Sequence, residues 1–322
     1  MAVCICGPSA LEVLRASGRL APELLERPRT SKVCDFDIPP LPLLVDDFER
    51  YGAKTRPFHV LVPDGVHHSH TRKDVCRHVK SRVPAKSLVQ LGRGVYVTSP
   101  ELTFCDLATQ PEFDEIELAQ VCYELCGTYV LDPDADSWTG YTELPTPLTS
   151  REAITRVLGR LGPARGVVVA RCAVAAALDR SNSPMETVLA SLMTMPRRFG
   201  GLGLSGASMN HPIQTSVGPR RVDVAFPELK VGFEYKGTRP HSIEATGRDD
   251  RRQNKLAGSG VAILNVWYED LVDGHLFRQF VADATKAMGI RLRISSVAFE
   301  GRQRMLRMQL IPRFKRWASL MQ

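Results

Sequence analysis

The feature that most constrains this chain is a pair of strand-like segments in its C-terminal half. RRVDVAF occupies residues 220–226 and KVGFEYK occupies residues 230–236. In both segments apolar and polar residues alternate with a period of two, which is typical of half-buried strands. If Asp223 faces Glu234, a short turn near Glu228 joins the two strands. The pattern therefore predicts an antiparallel β-hairpin in this register.

The alternation divides the hairpin into an apolar face and a charged face. The apolar face is predicted to carry Val222, Val224, Phe226, Val231, Phe233 and Tyr235. The opposite face carries Asp223, Glu234 and Lys236, together with two small residues, Ala225 and Gly232. Burying charged groups without partners is costly. A divalent cation between Asp223 and Glu234, with Lys236 beside it, would explain why these charges converge.

The residue types on the charged face indicate phosphodiester hydrolysis. Mg²⁺ prefers hard oxygen ligands and binds through one or two carboxylates plus phosphate, and Mn²⁺ suits the same ligands. Such a metal polarises a phosphoryl oxygen and lowers the pKa of a bound water. Lys236 can hold or deprotonate that water, or stabilise charge in the transition state. Asp223 and Glu234 are therefore predicted to bind Mg²⁺, and Lys236 is predicted to be catalytic.

The segments around the hairpin predict an α/β domain with a central mixed sheet flanked by helices. A helix is expected to begin at Ser183-Pro184, and VAILNVW has the continuous apolar character of a buried strand. LFRQFVADATKAMG has the pattern of an amphipathic helix that closes the domain. The Gly-rich stretch 200–218 is typical of a connection.

The N-terminal half is predicted to form a separate α/β domain. RPFHVLVPDG and GRGVYVTSPE have strand character, and Ser99 followed by Pro100 is a helix-start pattern. Thr149 and Glu152 have capping-box spacing ahead of another helix. The expected organisation is an N-terminal regulator-like domain at 1–165, a nuclease domain at 166–289 and a basic C-terminal tail at 290–322.

The C-terminal half resembles the PD-(D/E)XK nuclease superfamily. It resembles more narrowly the Vsr-like endonuclease domains of the very-short-patch-repair type, also called the DUF559 group. The blocks that carry the resemblance fall in order over roughly residues 181–285: SPMETVLASLM, RRVDVAFPELKVGFEYKG, His241, RDDRRQNKLAGSG and VAILNVWYEDL. The resemblance implies a restriction-endonuclease-like core and an Mg²⁺-dependent endodeoxyribonuclease.

The same resemblance implies roles for individual residues. Asp223 and Glu234 would bind the metal, and Glu186 would point into the site from the first helix. His241 and Asp249 match positions that the group often fills with these residues. Many relatives have aspartate where this chain has Lys236, and the lysine restores the pattern of the wider superfamily.

The N-terminal half resembles a different group. RPFHVLVP and especially GVYVTSPELTFCDLA are similar to AbiEi-type antitoxins of type IV toxin–antitoxin systems. In that group a regulator-like region often precedes a Vsr-like nuclease-fold domain. The resemblance implies a prokaryotic, DNA-associated, defence-linked protein for which a toxin is a candidate partner.

Several of these residues have a structural interpretation beside the functional one. Glu186 lies three residues after Ser183, so its carboxylate could cap the helix instead of serving the metal site. His241 fits an ordinary polar loop as well as a catalytic role. The polar segment that follows could bind phosphate or form a solvated helix face; its candidate nucleic-acid-binding residues are Arg251, Arg252, Gln253 and Lys255.

The net charge of +7 comes from the C-terminal segment alone. Residues 290–322 hold eight basic residues and one acidic residue, which leaves 34 basic and 34 acidic residues in the rest of the chain. IRLRISSV at its start is expected to be an edge strand. The remainder mixes cations with Met, Phe and Trp, so it could contact a phosphate backbone or pack on the protein surface.

The sequence predicts a protein without a membrane span, without a secretory signal and without a structural zinc site of the two-C-x-x-C type. No apolar run reaches the roughly 18 residues of a membrane span, and the N-terminus lacks the pattern of a secretory signal. The eight cysteines include no pair of C-x-x-C motifs, so free thiols in a reducing cytoplasm are expected. The sequence indicates no particular oligomeric state.

Two functions from different classes follow. The first is a metal-dependent DNA endonuclease with a defence or repair role, and its basis is the Asp223, Glu234 and Lys236 cluster. The alternative is an AbiEi-like DNA-binding transcriptional regulator that keeps the nuclease fold without its activity. Its basis is the resemblance of the N-terminal half.

Overall fold

The computed structural model shows a mixed α/β protein whose contacts divide the chain into two units. One unit spans residues 1–175 and the other spans residues 176–313. The structure describes the following ranges: 2–20, 27–32, 36–64, 73–80, 82–132, 134, 140–215, 218–237, 260–294 and 296–311.

The first unit contains a six-stranded mixed sheet. Its strands are β1 (Val3–Ile5), β2 (Arg29–Thr30), β3 (Phe58–Val62), β4 (Val75–Val79), β5 (Leu88–Gly92) and β6 (Val95–Thr98), in the order β2-β5-β6-β1-β3-β4. β1 pairs with β6 and β3 pairs with β4 in parallel, whereas the other neighbours are antiparallel. A separate two-stranded sheet joins β7 (Tyr129–Leu131) to β8 (Tyr141–Glu143). The expected strand character of this half is therefore confirmed.

Within the described part of the first unit, six helices accompany these sheets, the last of which ends at the boundary of the unit. They are α1 (Gly7–Leu20), α2 (Leu41–Arg50), α3 (Pro100–Leu107), α4 (Glu115–Leu125), α5 (Arg151–Leu161) and α6 (Val167–Ala176). The predicted Ser99 cap is confirmed, because its side chain accepts a hydrogen bond from Leu102 N–H. The predicted Thr149 cap is wrong by one residue, since Ser150 caps α5 by accepting from Ala153 N–H.

The second unit is built on a four-stranded sheet in the order β12-β11-β10-β9. The strands are β9 (Ser208–Thr215), β10 (Gly218–Phe226), β11 (Val231–Lys236) and β12 (Ala262–Trp267). β10 is antiparallel to both neighbours, and β11 runs parallel to β12. The helices are α7 (Pro184–Thr194), α8 (Tyr268–Val272), α9 (Gly274–Ala287) and α10 (Val297–Leu310).

β9 falls in a segment that the sequence indicated to be a connection. Its residues SMNHPIQT show weak alternation and include Pro212. β9 is the edge strand of the sheet, where a proline without an N–H is tolerated. A polar edge strand of this kind has no apolar pattern by which to recognise it.

The register predicted for the β10–β11 hairpin is confirmed. Val224 faces Phe233 and Phe226 faces Val231, which is the register that places Asp223 against Glu234. A 3₁₀ turn over Pro227–Leu229 joins the strands. One face packs through edge-to-face contacts of Phe233 with Phe226 and with Phe280 of α9.

The predicted division of the hairpin into two faces is wrong at Val222. Val222 belongs to an apolar cluster with Ile213 and Ala225, and its Cγ1 lies within 2.7 Å of the place a Cβ on Gly232 would take. It therefore shares a face with Ala225, not with Val224. At this point Asn210, between the β9 partners of Val222 and Val224, has a left-handed backbone with φ 45°, so the pairing is locally irregular.

The described part of the C-terminal segment belongs to the second unit. Residues 290–294 form neither helix nor strand, so the predicted edge strand is wrong. α10 follows and buries Phe299, Leu306 and Leu310. Arg307, counted above among the basic residues of the tail, donates to the carbonyl oxygen of Val272 at 2.9 Å and stacks on Phe277. Part of the basic tail is therefore a packed helix.

The described helices include none with the length and apolar character needed to cross a bilayer. The described cysteines carry free thiols. Gly200, in the Gly-rich segment, has φ 100°, and a Cβ there would meet the backbone of Arg302 in α10 at 2.5 Å. Glycine at this position is required by close packing.

Candidate active site

The candidate site begins at the N-terminus of α7, where the fold holds Glu186. Ser183 caps the helix by accepting a hydrogen bond from Glu186 N–H at 3.2 Å, and its hydroxyl donates to Glu186 Oε1 at the same distance. Asn182 N–H donates to Glu186 Oε2 at 3.0 Å. Glu186 thus serves the helix N-terminus, as one of the two interpretations predicted.

Glu186 also reaches beyond its own helix. Its Oε2 accepts a second hydrogen bond, at 2.8 Å, from the side-chain amide of Asn210 on β9. The Asn210 amide group also donates to the carbonyl oxygen of Arg180 and accepts from Asn182. Asn210 therefore ties the helix N-terminus to the sheet and fixes the direction of the Glu186 carboxyl group.

Glu186 lies in an electrostatic field that disfavours its charge. Burial, and then the negative charge of Asp223, raise the pKa of Glu186 from 4.5 to about 7, against the lowering effect of its hydrogen bonds. Two carboxyl groups from different elements therefore interact in a poorly solvated place. A cation bound by them would reverse this effect.

Asp223 connects the two strands of the hairpin. Its Oδ2 accepts a hydrogen bond from the backbone N–H of Tyr235 at 2.8 Å, and the side chain is half-buried. Tyr235 is the residue between Glu234 and Lys236. The structure thus brings the Asp223 carboxylate to the backbone of the Glu-Tyr-Lys segment, as the hairpin register predicted.

Glu234 and Lys236 form a buried ion pair. Lys236 Nζ donates to Glu234 Oε2 at 3.0 Å, and the side chains are 13% and 3% exposed for Lys236 and Glu234. The two groups therefore do not form a solvated ion pair on the sheet surface. A buried ion pair seldom repays the cost of desolvating its charges, so stability alone is a weak explanation for it.

Asn265 is a residue of the site that sequence reasoning missed. It faces Glu234 in the parallel pairing of β12 with β11. Its side-chain oxygen Oδ1 is buried and has no hydrogen-bond partner among the described residues. The sequence signal that could have identified Asn265 is its position as the one amide side chain in the apolar run VAILNVW. No such signal identified Asn210, because β9 was not predicted as a strand.

The donors fit a hard divalent cation. Glu186, Asp223, Glu234 and Asn265 offer carboxylate and amide oxygens, which are the ligands that Mg²⁺ accepts. Burial, and then the charge of Asp223, raise the pKa of Glu186, and the buried Asn265 Oδ1 has no hydrogen-bond partner among the described residues. Both observations agree with a cation site at this end of the hairpin.

Other predicted site residues lie outside the described residues. These are His241 and Asp249, together with the candidate nucleic-acid-binding residues Arg251, Arg252, Gln253 and Lys255. The described site therefore comprises Glu186, Asp223, Glu234 and Lys236 from the predicted set, with Asn210 and Asn265 added by the structure.

Comparisons with known proteins found no matching protein-family model, no matching curated protein and no matching solved structure. Function is therefore inferred from the chemistry of the site.

Proposed function

We propose that this protein is a metal-dependent DNA endonuclease whose active site lies at the β10–β11 hairpin of the second unit, in a restriction-endonuclease-like core. The observation that carries the proposal is the interaction of Asp223 with Glu186 beside the buried Glu234–Lys236 pair. Burying these carboxylates and the lysine contributes little to stability, because desolvating the charges is costly. The same groups can bind a metal and a phosphate in phosphodiester hydrolysis. The substrate follows from this chemistry and from the resemblance of the sequence to PD-(D/E)XK nucleases.

Each residue has a role in this proposal. Asp223 and Glu234 would hold Mg²⁺, or Mn²⁺ in its place, and Glu186 would add negative charge beside them. The metal, when bound, polarises the phosphoryl oxygen and lowers the pKa of a water. Asn210 positions Glu186 through the 2.8 Å hydrogen bond.

Lys236 would act on the water or on the phosphate. Its ammonium group is only 13% exposed and pairs with Glu234 Oε2 at 3.0 Å, and binding of Mg²⁺ by Glu234 would draw that carboxylate charge away from the lysine. It can hold the attacking water, or stabilise the negative charge that develops on phosphorus-bound oxygen. Hydrolysis then transfers the hydroxyl of water to phosphorus and breaks the bond to the leaving sugar oxygen, which takes up a proton.

The test is cleavage of plasmid and linear DNA by the purified full chain in Mg²⁺ or Mn²⁺. Asp223→Asn should abolish cleavage in both metals. Glu228→Gln is the matched control, because Glu228 is an exposed carboxylate in the turn of the same hairpin, and it should cleave like the wild type. Equal cleavage by the wild type and Asp223→Asn would disprove the assignment.

One observation favours a second function, that of a DNA-binding regulator with an inactive nuclease fold. In the structure Lys236 Nζ donates to Glu234 Oε2 at 3.0 Å, so the charge of the lysine is offset by a carboxylate of the same strand. This alternative predicts sequence-dependent DNA binding that survives Asp223→Asn, and no cleavage with any metal. A toxin partner stays a prediction of the N-terminal resemblance, to be tested by co-purification with the neighbouring gene product.

A further inference from the structure

The sheet of the first unit brings three metal-binding side chains together on adjacent strands. β3 and β4 run parallel, and His59 of β3 faces Cys76 of β4 in the pairing. His78 lies two residues beyond Cys76, so it points to the same side of the sheet. β4 is the edge strand of this sheet. Together His59, Cys76 and His78 form the HCH cluster.

The distances within the HCH cluster suit a small metal ion. The three donor atoms all lie within 4.8 Å of one another. His59 Nδ1 is 2.8 Å from His78 Nε2, and Cys76 Sγ is 3.9 Å from the same nitrogen. Tetrahedral zinc bonds of ordinary length set these separations at about 3.3 Å and about 3.6 Å. Shifts of roughly half an ångström would therefore complete three ligand positions.

The surroundings of the two ring nitrogens include the start of α1. Gly7 has φ 53°, and a Cβ at that position would lie 3.5 Å from both His59 Nδ1 and His78 Nε2. The His59 backbone N–H donates to Ser9 Oγ at 3.0 Å, which anchors β3 to the first turn of α1. The left-handed backbone favours glycine at residue 7, and the first turn of α1 thus lies directly beside the two ring nitrogens.

The three donors differ in their electrostatics. Burial lowers the pKa of His59 and of His78 to about 4, helped by the charge of His78 at His59 and of Lys80 at His78, whereas burial and then Glu112 raise the pKa of the Cys76 thiol. The imidazoles thus favour their neutral form, while the thiol has to lose its proton to bind a metal. Without a metal, the close contact of the rings is a hydrogen bond between two neutral imidazoles.

We propose that the HCH cluster binds one Zn²⁺ ion through His59 Nδ1, His78 Nε2 and the Cys76 thiolate, with a fourth position left to water. Two imidazoles and a thiolate favour Zn²⁺ over the hard Mg²⁺ ion proposed for the hairpin. The Cys76 thiol releases its proton to solvent on binding. The ion joins the edge strand β4 to β3, and the proposal does not depend on nuclease activity.

The experiment is metal titration of the purified full chain after removal of metals with a chelator. Zn²⁺ affinity and stoichiometry are measured by competition with a chromophoric chelator, and Co²⁺ is used as a probe of sulfur ligation by visible absorption. All titrations use a background in which Asp223→Asn removes the hairpin site. His67→Gln, His68→Gln and His70→Gln are added to that background, because these histidines lie outside the described residues.

The expected result is one equivalent of Zn²⁺ and a sulfur-to-cobalt absorption band in the background protein. Cys76→Ser should remove the band, and both Cys76→Ser and His78→Asn should weaken Zn²⁺ binding at least about a hundredfold. Cys172→Ser is the matched control, since Cys172 is also a half-buried free thiol of this unit. This variant should leave the cobalt absorption band and the Zn²⁺ affinity unchanged.

Two results would overturn the proposal. One is the absence of Zn²⁺ binding tighter than about 10 μM in the background protein, an affinity of roughly 7 kcal/mol. The other is a cobalt–sulfur band that Cys76→Ser leaves in place. Thermal unfolding gives a check on folding: Zn²⁺ should raise the Tm of the background protein and leave that of a folded Cys76→Ser variant unchanged.

Discussion

Glu186 combines three hydrogen-bond donors with a pKa raised to about 7, two effects that act on its charge in opposite directions. Burial and the neighbouring Asp223 charge prevail over the donors. The carboxyl group is consequently half-protonated near neutral pH in the metal-free protein. A helix cap does not require Asp223 as an acidic neighbour. The raised pKa of Glu186 therefore supports the proposed cation site.

The pH dependence of stability tests this account of Glu186. Its pKa is higher in the folded protein than the usual 4.5, so Glu186 contributes stability below pH 4.5 that is lost as the pH rises through 7. The free energy of unfolding of metal-free protein, relative to Glu186→Gln, should fall by about 3 kcal/mol between pH 4.5 and pH 8. Urea denaturation at both pH values measures this difference. A difference that does not change with pH would contradict the raised pKa.

The Glu234–Lys236 pair gives a second prediction at the residue scale. Lys236→Met should destabilise the metal-free protein by about 3 kcal/mol, because it removes the ammonium group that pairs with the buried Glu234 carboxylate. The double variant Glu234→Leu with Lys236→Met should recover most of that loss, since no charge stays buried. Urea denaturation of the four proteins in a double-mutant cycle measures the coupling. Additive effects of the two substitutions would show that the ion pair is not formed.

At the scale of elements, the hairpin was the most predictable part of the site. Its period-two pattern and short turn were enough to predict the register that the structure shows. The faces were predictable except at Val222, opposite a stretch of the neighbouring strand in which Asn210 has a left-handed backbone. This local irregularity involves β9, a polar edge strand with no recognisable pattern, so the sequence contained no means of predicting it.

Asn210 and Asn265 could not be assigned to the site from the sequence, because their positions depend on tertiary contacts. Asn265 stood out only as an amide in an apolar run, and its position beside Glu234 depends on the parallel pairing of β11 with β12. The partners of Glu186 depend on tertiary contacts between α7 and β9. A long-range contact of this kind leaves no trace in local periodicity.

A prediction at the element scale concerns the packing of the Gly-rich segment on α10. Gly200→Ala should destabilise the second unit by about 3 kcal/mol, because it combines a left-handed backbone with a clash against Arg302. Gly206→Ala is the control, since Gly206 has φ 82° but open space around it, and it should cost only about 1 kcal/mol. Urea denaturation compares the two. Equal losses would indicate backbone strain alone and no packing of α10 on this segment.

At the scale of the whole molecule, only part of the excess positive charge is available to bind DNA. The excess of basic residues lies after residue 289. Arg307 of that segment donates a hydrogen bond to the carbonyl oxygen of Val272 and stacks on Phe277 within the second unit. Arg291 and Arg293 are exposed. Only exposed arginines of this kind are available to contact a phosphate backbone.

The salt dependence of DNA binding tests that contribution. Replacing Arg291 and Arg293 by Gln should reduce the slope of log K against log salt by about 0.9 for each phosphate that the variant no longer neutralises. Arg156→Gln with Arg160→Gln is the control, because these exposed arginines lie in the first unit, and its slope should match the wild type. Fluorescence anisotropy with labelled duplex DNA measures the slopes. An unchanged slope in the Arg291 and Arg293 variant would give these residues a purely structural role.

The most direct test of the central claim is the rate of DNA cleavage by the wild type and by Asp223→Asn under identical Mg²⁺ concentrations. Both preparations should have closely similar Tm values, so that loss of activity is not loss of folding. If the hairpin carboxylates perform phosphodiester hydrolysis, the wild type cleaves and Asp223→Asn is slower by at least about a thousandfold, of the order of 4 kcal/mol in activation free energy. Cleavage at equal rates, or no cleavage by the wild type in either Mg²⁺ or Mn²⁺, would contradict the account.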